Sequence, residues 1–212
     1  MLLHKIQNNN IALTFGTIKK EGKYNTKKSF QVAQILPKMK SVNQQQLDEI
    51  FADEKFAKKV LDNDWYCEWQ KAMKLKKPLP TTGFCYPAAE FFYHFVDCDT
   101  QPMTIRYTEK VINNKTGKKR NQTHYFLLKE NGIIYDPTKS QYGKETPKYK
   151  NATKFGFLTE FPSKKACAIA VKLKVITEDI AKKIPEIFRG KRFLNLAFEK
   201  KLKLLDNLFK KV

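Results

Sequence analysis

Thr81-Thr82-Gly83-Phe84-Cys85-Tyr86-Pro87-Ala88-Ala89-Glu90-Phe91-Phe92-Tyr93-His94-Phe95-Val96 places a cysteine at the head of an apolar run. Pro87 fits only the first turn of a helix, where its missing N–H costs nothing. Gly83 permits a tight approach to that turn. The apolar run Ala88, Ala89, Phe91, Phe92 and Phe95 predicts a helix over 86–96 that is central to the core. Cys85 then lies at the mouth of a buried helix. Unpaired N–H groups and the helix dipole favour a thiolate there, and the same N–H groups can receive an oxyanion.

A cysteine nucleophile needs a base, and the base needs a group to hold it. The chain has three histidines. His94 lies on the same helix, rotated from Cys85 by about 180° and displaced by about 13 Å. His4 lies in an unpatterned terminus. His124 remains, in the strand-like run 122–129. Asn131-Gly132 signals a hairpin to a third strand, Ile133 to Asp136, which Pro137 ends. The turn decides whether Asp136 can serve His124. A two-residue loop sets Leu127 opposite Asp136 and turns its carboxylate away from His124. A three-residue loop, Glu130 to Gly132 with Gly132 left-handed, sets Phe126 opposite Asp136, and His124 then shares that face diagonally. A Cys85, His124, Asp136 triad therefore requires the three-residue loop.

Outward from this centre, 103–111 reads as a strand joined to 122–129 through a polar turn, Asn113 to Asn121. Residues 137–162 read as an ordered loop. Towards the N-terminus, 11–18 and 30–36 read as short strands, and 43–76 as two helices that break near Asn63. Towards the C-terminus, Ser163 and Thr177 are caps for helices over 164–174 and 178–188. A last helix over 191–211 puts Leu194, Phe198, Leu202, Leu205 and Phe209 on one stripe. The expected fold is α+β: an antiparallel sheet on a central helix, with N-terminal elements in 1–80, the cysteine core in 81–162 and a basic helical annex in 163–212, all in one globular unit.

The 212 residues carry a formal charge of +20, from 37 lysines and four arginines against 21 carboxylates. Lysine is a hydrated point charge, whereas arginine is the fork that reads bases and phosphates bidentately. The balance suits diffuse, non-specific attraction to nucleic acid rather than sequence readout. It equally suits a solvated lysine coat. Cys67, Cys85, Cys98 and Cys167 form no C-x-x-C pair, so no zinc site is expected, and nothing calls for a cofactor. No signal-peptide core or membrane span is visible. A reducing cytoplasm with free thiols is the expected setting. The chain does not disclose its oligomeric state.

The strings Thr81 to Tyr93, Thr123-His124-Tyr125-Phe126-Leu127-Leu128 and Gly132 to Tyr142 resemble small phage and bacterial proteins of papain/transglutaminase-like cysteine fold, including the group called YunG-like. Gly156 to Ala166 is similar to a segment of the phage members. The resemblance covers about residues 80–170. It implies Cys85 as nucleophile, His124 as base and Asp136 as orienting group. It also implies a host-cytoplasmic or virion-associated setting if the chain is phage-encoded. The papain signature has a glutamine six residues before its cysteine, and Leu79 stands there. A side-chain oxyanion donor must then come through space, with Gln70 and Trp69 as candidates.

The expectation is a cysteine-dependent acyl-transfer enzyme acting on an amide, ester or isopeptide bond of a protein or small amide. Hydrolysis, deamidation and transfer all remain open. The alternative is a basic nucleic-acid-binding or virion-associated protein on the same scaffold, using exposed aromatics such as Tyr142 and Tyr149.

Overall fold

The structure is a computed structural model and describes residues 26–112 and 119–210. The strand expected at 11–18, His4 and the centre of the turn after residue 112 lie outside the described residues. Eight α-helices and a four-stranded antiparallel sheet are described: α1 (Thr26–Ile35), α2 (Gln44–Ala52), α3 (Glu54–Val60), α4 (Asn63–Met73), α5 (Cys85–Phe95), β1 (Thr100–Ile112), β2 (Lys119–Lys129), β3 (Ile134–Tyr135), β4 (Thr153–Lys154), α6 (Lys164–Lys172), α7 (Glu178–Arg189) and α8 (Phe198–Phe209). The sheet order is β3-β2-β1-β4. Among the described residues no helix is long and apolar enough to cross a membrane.

The central helix forms where the sequence places it, one residue early, so that Cys85 is its first residue. Every side chain from Pro87 to Phe95 is buried. One core cluster runs from Val32 on α1 to Leu205 on α8 and includes Ala88, Phe91 and Phe95 of α5. The annex helices therefore share a core with the cysteine helix. β2 alternates by strand geometry: Tyr125 and Leu127 face α5, while Phe126 and Leu128 join Met103, Ile105 and Tyr149 in a second cluster beyond the sheet. Burying a Phe or Leu contributes roughly 1.5–3 kcal/mol, so both faces of the sheet are anchored.

Three expectations are corrected. Residues 30–35 belong to helix α1 rather than a strand, and Leu36 follows its end. Ser29, Val32, Ala33 and Leu36 are buried at helical spacing, and a short apolar run fits either period. The block 43–76 holds three helices, because the Asp53 carboxylate accepts from the Phe56 N–H at 3.0 Å and caps a new helix while α2 ends. The last helix begins at Phe198. Residues 191–193 form a 3-10 turn, and Leu194 is exposed rather than on the stripe. The rest of that stripe packs inward, with Leu205 fully buried.

Candidate active site

Thr81-Thr82-Gly83-Phe84 set the position of Cys85. Gly83 has φ +81°, and a Cβ on it would lie 3.2 Å from the Trp65 Cβ. That left-handed turn packed on Trp65 requires glycine. Phe84 is fully buried and stacks on Phe51 with ring centroids 4.3 Å apart. Having no side-chain acceptor, Phe84 leaves α5 without a side-chain cap.

His124 and Asp136 are placed by the hairpin. β3 pairs Leu127 with Tyr135 and Leu128 with Ile134, the register of the three-residue loop. Gly132 has φ +80°, and the Lys129 N–H donates to the Ile133 carbonyl at 2.8 Å. Asp136 thus comes onto the His124 face, and its Oδ2 lies 2.7 Å from His124 Nε2. β3 is only two residues long. The edge of β2 before Leu127 is left to the tip of α5, where Cys85 Sγ donates to the Thr123 carbonyl at 3.7 Å. Thr123 is the residue before His124, so the thiol lies at the His124 end of β2.

Asp136 is held from all sides. Its Oδ1 accepts from the Thr138 N–H at 3.1 Å and the Thr138 hydroxyl at 3.3 Å, an Asx turn. Its Oδ2 also accepts from the Tyr149 hydroxyl at 2.7 Å. The second imidazole nitrogen, Nδ1, lies 3.0 Å from Gln141 Nε2, and that amide donates to the Thr138 hydroxyl at 3.2 Å. The Tyr142 ring meets the imidazole edge-on at 5.0 Å. The loop carrying these groups is tied to the turn before Cys85, with the Thr81 and Ser140 hydroxyls 2.8 Å apart.

The electrostatics follow from this enclosure. Burial opposes charge on His124, but the Asp136 carboxylate, its hydrogen bond and Cys85 outweigh it and push the imidazole up to about 9. Burial, then the Asp136 charge, push the Tyr149 phenol up, so it stays a neutral donor to the carboxylate. His94 is fully buried in the core. Burial, helped by the Lys38 cation, brings it down to about 3, so it cannot serve as a base at neutral pH. These side chains are nearly closed to solvent, with Cys85 6% and His124 1% exposed.

Of the residues singled out in the sequence, Cys85, His124 and Asp136 come together. Trp69 and Gln70 are engaged elsewhere. The single Trp69 donor serves the Phe51 carbonyl at 3.0 Å and the Pro80 carbonyl at 3.2 Å, holding the turn before Cys85, and the Gln70 amide donates to the Tyr66 hydroxyl at 3.3 Å. Tyr149 is not an exposed aromatic: it is buried against Phe126 and bound to Asp136, and half-buried Tyr142 packs on His124. Gln141, Thr138 and Tyr149 enter from a loop without periodicity, and no spacing in the sequence marks them as partners of His124 and Asp136. Comparison with family models, with curated proteins and with solved structures returns no match.

Proposed function

We propose that this chain is a cysteine-dependent acyl-transfer enzyme of papain/transglutaminase-like type, with Cys85 as nucleophile, His124 as acid–base and Asp136 as orienting group. The supporting observation is the 2.7 Å contact of Asp136 Oδ2 with the ring nitrogen of His124, on a histidine whose neighbour, Thr123, receives the Cys85 thiol.

The chemistry follows from the geometry. Asp136 engages Nε2 and leaves Nδ1 to exchange a proton with the sulfur. Sγ adds to a carbonyl carbon, and the oxygen becomes an oxyanion at the uncapped start of α5. Collapse breaks the bond to the amine or alcohol, which leaves with the proton from Nδ1. The resulting thioester is cleaved by water or an amine that gives its proton to Nδ1, restoring the thiol side of the cycle. The Asp136 charge stabilises the imidazolium that forms. Proton exchange at Nδ1 requires the Gln141 amide to turn away from it, which rotation of that side chain allows.

Incubation with a p-nitrophenyl acyl ester followed by peptide mapping tests this. The expected result is a hydroxylamine-labile acyl group on Cys85, absent in His124→Ala. Acylation absent from Cys85, or no faster there than at Cys67, refutes the reading.

A further inference from the structure

A groove of about 680 Å³ opens between α3, α6 and α7, away from Cys85. Its floor is apolar: Phe56, Ala168, Val171, Ala181 and Pro185 line it. Its rim is cationic: Lys55, Lys59, Lys164, Lys172, Lys174 and Lys182 stand around it against two carboxylates, Asp53 and Glu178. Asp53 is taken by Lys172 at 3.4 Å, and Lys182 has only a 4.0 Å contact with Asp179. Among the described residues Lys55, Lys59, Lys164 and Lys174 form no ion pair. The rim therefore has unspent positive potential over a low-dielectric floor, which focuses the field on the groove.

Two backbone features point the same way. Pro185 stands inside α7 and has no N–H, so the Ala181 carbonyl lacks its helical partner, and both residues line the groove. Lys174 closes α6 with φ +59°, where glycine is the unstrained choice, and so puts a cation at the rim. The hollow continues into a second of about 480 Å³ that shares Lys164, Lys182 and Pro185 and adds Arg189.

We propose that this groove binds an acidic amphipathic peptide segment of a partner protein, its carboxylates on the lysine rim and its apolar side chains on Ala168, Val171 and Pro185. A phosphate backbone would use the rim but gain nothing from the floor, and this is why a peptide is favoured over nucleic acid. The site is separate from the cysteine triad, and its occupancy does not depend on the reaction there.

The test is fluorescence anisotropy of the full chain with a labelled peptide of Glu, Leu and Phe, and in parallel with labelled oligothymidylate, at low and physiological salt. Lys164→Glu with Lys182→Glu should weaken the peptide about tenfold at low salt. Ala168→Trp fills the floor without changing charge, and should weaken the peptide comparably while leaving the oligonucleotide unaffected. Thermal melts verify folding, and Lys55→Glu with Lys59→Glu across the groove is the second charge reversal. Peptide binding indifferent to both reversals and to Ala168→Trp overturns the proposal. Oligothymidylate that binds more tightly than the peptide and is lost with Ala168→Trp overturns it as well, in favour of a nucleic-acid site.

Discussion

Replacing Asp136 by Asn is the perturbation that reads the site's electrostatics. Asn keeps the shape and can still accept from the Thr138 N–H through its oxygen. Its NH2 group then faces His124 and Tyr149, and it can only donate to His124 Nε2. In the native protein the His124 midpoint is pushed up to about 9 from 6.5, against the pull of burial and chiefly by Asp136. A histidine with a raised folded pKa stabilises the fold fully below its unfolded pKa, and that contribution disappears as pH rises through the folded value. Native stability should therefore fall between about pH 6.5 and 9, by about 3 kcal/mol. Without the carboxylate, burial dominates and the Asp136→Asn midpoint should drop below 6.5, removing that slope. Two assays suffice: NMR titration of the His124 ring, and urea unfolding across the same pH range. A native midpoint at or below 6.5, or one that Asp136→Asn leaves in place, would refute the reasoning.

Other positions carry their own outcomes. Glu90 is fully buried, accepts from the Ser163 hydroxyl, and is raised by burial to about 7 from 4.5. A raised carboxyl stabilises the fold below its unfolded pKa, and the contribution fades as pH climbs towards the folded one. Glu90→Gln should therefore flatten stability between about pH 4.5 and 7 and gain about 3 kcal/mol at pH 8, read by unfolding at both ends of the range. Gly83→Ala forces a side chain into a left-handed backbone and against Trp65, so chemical denaturation should show a loss of about 1–3 kcal/mol. Tyr149→Phe removes a donor to a buried carboxylate and should cost about 2 kcal/mol in the same assay.

How much of this was legible in the chain depends on what carries each signal. Pro87 and the apolar run announced α5, because a proline at the third residue of an apolar segment leaves few alternatives. The hairpin register could be derived as a condition on the triad, since side chains alternate and one residue of slip moves Asp136 to the wrong face; the observed pairing of Leu127 with Tyr135 meets that condition. Helix α1 was missed because Phe30 to Leu36 satisfies both periods, and only its burial pattern decides. Asp53 and the turn at 191–193 were missed because boundaries rest on single capping contacts within otherwise helical patterns. Gln141 and Tyr149 were beyond reach as site residues. Their roles come from a loop folded back onto β2, and no period in sequence encodes that contact.

The most direct test of the account is alkylation of the native chain by an electrophilic thiol probe at neutral pH, with each cysteine quantified by peptide mapping. The Cys167 thiol, pushed up by burial, supplies the inert reference within the same molecule. The account predicts that Cys85 reacts faster than Cys167 despite being 6% exposed, more slowly in Asp136→Asn, and slowest in His124→Ala. Equal rates at Cys85 across the native chain and both variants would contradict it.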